Sequence, residues 1–381
     1  MTKPGGEIRR EAWLADPLPK DVERALDRLC RSDDVQYVAV MPDVHLSEDV
    51  CIGTVVATTR MLYPDAVGGD IGCGVSTVRI NGDAMLLADE WTAAKVLHGL
   101  SRFVPAIRRG GHRASPVADS VNNLPLSHER LEHLKVRQAR AQLGTLGRGN
   151  HFLEFQKDEE ERLWLTVHSG SRMMGQAIRN HHLREAKRAV TGLHYVESGS
   201  VSGEAYLRDA AWAMSYAEAN RRAIIEAALH TVEDVLGVTA DWTSYLTCIH
   251  NQVRLEHHFG AQWWVHRKGA ICAASGVAGI IPGSMGTMSY HVEGRGQERS
   301  LFSSSHGAGR IMSRTEAHNA IRLEQLKREM KGVWFDQRKM TSLVDEAPSA
   351  YRDITKVMRA QRELTKVIRV LRPVLNYKSV R

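Results

Sequence analysis

Long apolar runs are missing from this sequence of 381 residues. The least polar stretch, Gly269 to Ile281, is short and rich in Gly and Ala, so no segment is expected to span a membrane. The opening MTKPGGEIRREAW lacks the apolar core of a secretory signal, which makes the cytoplasm the expected location. Cysteine is scarce: Cys30, Cys51, Cys73, Cys248 and Cys272, with no CxxC pair. An odd, scattered set argues against a disulfide framework and a compact zinc finger, and points to a reducing compartment. There is no Gly-Lys-Ser/Thr ending of a Walker loop and no strand–GxGxxG–helix context. No internal repeat is visible, and no linker divides the chain. With 43% hydrophobic and 25% charged residues, wholesale disorder is excluded as well.

Charge is present in excess of one sign. The net is +7, and from Asp353 onward eight basic residues face two acidic ones. Helical spacing over about 353–371 puts Ile354, Val357, Met358, Leu364, Val367, Ile368 and Leu371 on one side. Lys356, Arg359, Arg362, Lys366 and Arg369 fall on the other. The pattern predicts a basic C-terminal helix that meets an anionic partner such as nucleic acid through Lys356, Arg359, Arg362 and Lys366, or else a solvated basic face.

Periodicity predicts further helices over Asp21–Cys30, with Asp21 as N-cap, and over about Ser127–Leu143, Gly203–Leu229 and Thr315–Met330. Strands are expected over Val35–Val40, ending at Pro42, and over Cys51–Thr58, Val75–Ile80, His151–Gln156 and Leu163–His168. Mixed elements with Gly-rich segments between them suggest one α+β domain, residues 1–381, with functional loops converging on a central cleft.

Six segments hold residues able to do chemistry. Asp70 and Cys73 lie in VGGDIGCG, where glycines allow sharp turns and close approach of a ligand. The alternative is a tight turn with a buried cysteine. Asn150, His151 and Glu154 lie in GRGNHFLE, His168 in VHSGSR, and His250 in CIHN. Each histidine alone could equally be structural. Together, Cys73 and the three histidines supply soft and borderline ligands and Asp70 a hard oxygen, a set that can hold Mn²⁺, with Zn²⁺ a strong competitor. IIPGSMGTMSY suits a phosphate cradle, or else is a long surface loop. In SSSHGAGR, small residues flank His306, a competent nucleophile at phosphorus, and Arg310 can pair with phosphate; the alternative is a surface loop whose histidine caps a backbone group.

These segments resemble the RtcB family of RNA ligases. The matching stretches are MPDVH (41–45), IGTV (52–55), GGDIGCG (68–74), GRGNHFLE (147–154), VHSGSR (167–172), HN (250–251), HRKGA (266–270), IPGSMGT (281–287) and SHGAGR with MSR (305–314). They stand in family order. The resemblance implies an α+β fold with a metal-lined cleft. It implies joining of RNA 3′-phosphate or 2′,3′-cyclic phosphate ends to 5′-OH ends, in RNA repair or tRNA splicing, with GTP and Mn²⁺ (two ions, with Zn²⁺ or Co²⁺ as substitutes). By motif, Asp70, Cys73, His151, His168 and His250 would be metal ligands and His306 the nucleophile that takes GMP. Asn150, Glu154, Asn251, Ser284, Met285, Ser289, Gly307, Ala308, Gly309, Arg310, Tyr351 and Lys378 would join His306 in holding GTP. RNA is the implied partner, archease a further one, and the chain is expected to be a monomer.

The sequence departs from the family pattern in places. It is shorter than many members, reads LSEDVC after MPDVH, carries Gly69 where the family has Val, and ends YKSVR. Two rival functions use the same residues: a metal-dependent phosphodiesterase that opens cyclic phosphates without joining ends, and an RNA-end-binding protein without turnover.

Overall fold

The computed structural model of the chain describes residues 9–107 and 118–378. Residues 1–8 and 379–381, the ends of the expected domain and most of the stretch read for a signal, lie outside the described residues. Among the described residues no helix is long and apolar enough to cross a membrane.

Two sheets carry the fold. The first has the spatial order Arg9–Ala12, Val35–His45, Ile52–Thr58, Ala261–Lys268, Asn251–His258. Its first pair is parallel and the others antiparallel. The second is antiparallel throughout, in the order Ala240–Ile249, Gly74–Asp83, Arg162–Ser169, Phe152–Lys157, Thr365–Tyr377, Ser289–Gly294, Ala278–Ile281. The chain is therefore the α+β mixture its periodicity predicts. The main core lies where helices Glu90–Phe103 and Val201–Leu236 cover the seven-stranded sheet, joining Val96, Leu100, Ile224 and Ala228 to Val78, Phe155 and Leu165.

The Val201–Leu236 helix starts where Ser200 accepts a hydrogen bond from the Gly203 N–H (3.1 Å). It runs past the expected Leu229 and stops at Gly237, whose φ of 67° suits a left-handed cap. The expected stretch Ser127–Leu143 is helical from Glu129 to Gln142, with a π turn at Lys135–Ala139.

Several expectations are corrected. The first helix is Lys20–Cys30 with Pro19 at its N-cap; Asp21 sits inside the first turn, its carboxylate accepting from the Val22 N–H. The second strand does not end at Pro42 but reaches His45, because a register shift between Val40 and His45 accommodates the proline. Thr315–Met330 is two short helices, Arg314–Ala320 and Leu323–Glu329, separated by extended Ile321 and Arg322. The bend lets Ala317, Ile321, Leu326 and Met330 all reach one core.

The largest correction concerns the basic C-terminal helix. Only Ile354–Ala360 is helical, and Thr365–Tyr377 is a central strand. Thr365, Val367, Ile368 and Val370 are β-branched and favour that state. Register shifts at His291/Val292 and Pro373/Leu375 break strict alternation, so the apolar pairs mimic helical spacing. Lys356 and Arg359 thus lie on a helix, Arg362 in the following turn and Lys366 on a strand, and they share no helical face.

Candidate metal centre and adjoining cleft

Antiparallel pairing gathers the site. Cys73 precedes strand Gly74–Asp83, His168 lies near the end of Arg162–Ser169, His151 precedes Phe152–Lys157, and His250 follows Ala240–Ile249. These four strands are neighbours, and Val75 pairs with His168, His168 with Phe152, and Gly74 with Ile249. The same edge of the sheet therefore presents all four side chains. The His250 N–H also donates to the Cys73 carbonyl (2.9 Å).

The long helix fixes the loops from behind. Buried Arg221 donates to the carbonyls of Gly72 (2.9 Å) and Ser169 (3.1 Å) and to Ser76 Oγ (2.9 Å). Asn220 accepts from the Gly144 N–H and donates to the Thr145 carbonyl and Ser169 Oγ. Gly72, at φ 75°, rests on the helix so closely that a Cβ would lie 2.7 Å from Met214 Cα.

Cys73, His151 and His168 offer ligand atoms within 4.8 Å of one another. Cys73 Sγ is 3.5 Å from His151 Nε2 and 3.3 Å from His168 Nε2. Asp70 joins through Oδ2, 3.0 Å from His151 Nε2. His250 joins by ring contact, 5.1 Å from the His168 centroid. Cys73, His151 and His168 thus form the group, with Asp70 beside His151 and His250 beside His168.

The donor set fits a cation. The Asn150 carbonyl beside His168 Nδ1 (3.1 Å) can only accept, which assigns that hydrogen to Nδ1 and leaves the His168 Nε2 lone pair turned to the cluster, while His151 Nδ1 lies between the Leu146 carbonyl (2.9 Å) and Arg172 Nη1 (3.2 Å). His250 Nδ1 is buried with no hydrogen-bond partner among the described residues. Burial, then the neighbouring His151, pushes His168 well below the usual histidine range; burial, then His306, does the same to His250. Burial, then the Asp70 carboxylate, pushes the Cys73 thiol up. Burial raises the Asp70 carboxyl too, but the hydrogen bond and charge of His151 outweigh it and hold it at about 2. Nitrogen, oxygen and sulfur ligand atoms thus converge, with the Arg172 guanidinium 3.2 Å from His151 Nδ1. A divalent ion would favour the thiolate form of a coordinating cysteine.

His306 stands beside this group, its ring centroid 4.7 Å from that of His250. It follows the short strand Ser303–Ser305, which pairs with Ala270–Cys272. Asp43 Oδ2 accepts from the His306 N–H (3.1 Å) and contacts Nδ1 (2.7 Å). An ionised carboxylate only accepts, so Nδ1 carries the hydrogen and Nε2 keeps its lone pair. Gly309, at φ 73°, packs on Asp43; a Cβ there would lie 2.9 Å from the Asp43 Cβ.

A cleft of about 1150 Å³ opens in front of His306. Asn150, Glu154, Ser284, Met285, Ser289, Gly307, Ala308, Gly309, Arg310, Tyr351 and Lys378 all line it. Asn251 does not; it donates to the Asp70 carbonyl (3.1 Å) and accepts from the Gly269 N–H (2.9 Å), bracing the metal loop. Arg310 is turned to protein partners: the Asp345 carbonyl (2.8 Å), the Met312 carbonyl (3.1 Å) and the Tyr351 hydroxyl (3.1 Å). Glu154 receives Gln156 Nε2 (2.6 Å) and Asn376 Nδ2 (2.5 Å), and burial pushes its carboxyl up to about 8. Lys378 donates to Glu346 Oε2 (2.5 Å), as does the Tyr351 hydroxyl (2.7 Å), and Arg314 pairs with Glu346 from the other side. Of the basic residues expected to meet RNA, Lys356 reaches the mouth of the cleft, 3.7 Å from Asp16, while Arg359, Arg362 and Lys366 lie outside it.

Asp43, Glu346, Asn376, Gln156 and Arg221 escaped the sequence reading as site residues. Asp43 had a signal, since it lies inside MPDVH. Glu346 had none, because its partners are scattered from Arg310 to Lys378.

Comparison with known proteins follows the same lines. Residues 28–379 match the family model described as tRNA-splicing ligase RtcB. The chain is 37% identical over 374 residues to the RNA-splicing ligase RtcB1 of Escherichia coli strain ATCC 25922, covering 90% of each. It is 36% identical over 373 residues to the RNA-splicing ligase RtcB of Escherichia coli K12, again over 90% of each. The tRNA-splicing ligase RtcB of Methanococcus maripaludis is 27% identical, over 92% of this chain and 90% of its own length.

Proposed function

The chain belongs to the RtcB family, and from that premise we propose that it is an RNA ligase working through a histidine–GMP intermediate. It joins RNA ending in a 3′-phosphate or 2′,3′-cyclic phosphate to RNA ending in a 5′-OH, in tRNA splicing or RNA repair. GTP and Mn²⁺ are the proposed co-substrate and metal. The observation that carries this reading is the pairing of His306 Nδ1 with Asp43 (2.7 Å) beside a converging cluster of metal-type ligands.

Asp70, Cys73, His151, His168 and His250 would hold the divalent ions, which supply charge neutralisation and Lewis acidity at phosphate oxygens. Asp43 keeps the His306 hydrogen on Nδ1, so the Nε2 lone pair is the one aimed outward. Nε2 forms a bond to the α-phosphorus of GTP as the bond to pyrophosphate breaks. The ring then gains positive charge, which the Asp43 carboxylate offsets, as a carboxylate does for imidazolium in other dyads. An oxygen of the RNA 3′-phosphate displaces Nε2 and takes GMP. The 5′-OH oxygen of the second RNA then attacks the 3′-phosphorus, loses its proton, and GMP leaves. Glu154 is suited to the N–H edge of guanine, whose donors favour its ionised form. Lys378 and Tyr351 support the adjoining wall of the cleft through Glu346.

Product length on a gel tests the function. With labelled RNA bearing defined ends, the wild-type chain yields a longer product, and His306→Ala yields none. Opening of cyclic ends without joining, unaffected by His306→Ala, would replace the ligase with a phosphodiesterase.

A further inference from the structure

One histidine of the cleft has no part in the scheme above. His45 ends the strand that carries Asp43, two residues on. It is partly buried and lines the cleft together with His306. Its Nδ1 lies 2.8 Å from the Asp43 carbonyl, which can only accept, so the hydrogen is on Nδ1. No hydrogen bond satisfies Nε2 among the described residues. Burial, reinforced by the neighbouring His306, lowers His45 to about 4, so it stays neutral at physiological pH. The same backbone oxygen receives Arg352 Nη1 at 3.4 Å, and Asp43 Oδ2 receives His306. The position is therefore held from three sides.

We propose that His45 is a substrate-contacting residue whose Nε2 lone pair accepts a hydrogen bond from a hydroxyl of the RNA, next to the phosphorus that His306 serves. An acceptor with a fixed tautomer distinguishes a hydroxyl from a phosphate oxygen, because only the hydroxyl can donate. Two hydroxyls meet that chemistry: the 2′-OH of the terminal ribose at the 3′-phosphate end, and the incoming 5′-OH. The inference rests on the ligase reading above.

The test separates the steps by single-turnover kinetics on the full chain. Guanylylation is followed with labelled GTP, transfer with 3′-phosphate RNA, and joining with pre-activated RNA plus a 5′-OH strand. His45→Phe removes the acceptor and His45→Gln restores one. Loss of one neutral hydrogen bond predicts an RNA step slowed about fivefold to tenfold more than guanylylation in His45→Phe, with most of it recovered in His45→Gln. If the 2′-OH is the donor, a 2′-deoxy end slows transfer by the wild type and leaves His45→Phe unaffected. If the 5′-OH is the donor, the loss falls on joining. Both outcomes support the proposal. A guanylylated His45→Phe chain whose RNA steps slow no more than guanylylation itself overturns it alone. A wild-type chain that takes no GMP overturns the ligase reading with it.

Discussion

The two walls of the cleft treat the same residue type in opposite ways. On the wall built by the seven-stranded sheet, Glu154 is ringed by the amides of Gln156 and Asn376, and its carboxyl is raised to about 8 by burial. On the adjoining wall, burial also acts to raise Glu346, but the charges of Lys378 and Arg314 outweigh it and hold the group at about 2. The first wall continues into the Cys73, His151 and His168 cluster, whose ligand atoms lie within 4.8 Å of one another. The second has its carboxylate paired with cations already. The difference suggests a division of work. On the proposed function the sheet wall would be completed by metal and nucleotide, whereas the ion-paired wall is a finished support.

Removing a ligand from the unfinished wall should have the largest effect. Cys73→Ala is expected to abolish stoichiometric Mn²⁺ binding by calorimetry. It should also slow guanylylation by about 1,000-fold or more, since a bound metal supplies several kcal/mol of transition-state stabilisation. Its fold should survive, as judged by circular dichroism. Full metal binding by Cys73→Ala would erase the contrast between the walls.

Next comes the support of the nucleophile. Asp43→Asn leaves an amide beside His306 Nδ1 that can donate to it, which favours the wrong tautomer. Guanylylation should fall by about 10²–10⁴-fold, by analogy with the carboxylate–histidine pair of serine proteases, while metal binding is retained. Loss of both together would merge the two features into one structural effect.

The smallest effects are on stability, and they have opposite signs in pH. Glu346 is depressed from its ordinary 4.5, so its contribution is present above that value and is lost as pH falls from about 4.5 towards 2. Glu346→Gln should cost about 3 kcal/mol near neutrality, since it strands buried cations, and should flatten the acid limb of a urea-denaturation series. Glu154 is raised, so its favourable state is full below 4.5 and is lost as pH rises through about 8. Glu154→Gln should instead flatten the alkaline limb. Equal pH profiles for the two variants would contradict the division of the walls.

Much of this was legible in the sequence, for a physical reason. The proposed metal ligands and nucleophile are particular residue types in glycine-relaxed surroundings, so Asp70, Cys73, His151, His168, His250 and His306 stand out locally. What they share in space is not local. The edge that aligns them arises from antiparallel pairing between Val75, His168 and Phe152. Asp43 meets His306 across 263 positions of chain, and Glu346 gathers partners from three separate segments. The C-terminal strand was misleading because its two bulges convert a period of two into apolar pairs at helical spacing. Gly69 shows a quieter compensation. A side chain there would meet Gln176 Oε1, so the space beside this glycine is filled by a residue from the following helix.

The central claim is that His306 carries GMP, and peptide mapping of the adduct tests it most directly. After incubation with labelled GTP and Mn²⁺, the account predicts one acid-labile GMP on the peptide containing His306, absent in His306→Ala. A GMP recovered on Lys378 or any other residue, or a His306→Ala chain that still joins RNA ends at the wild-type rate, would contradict it.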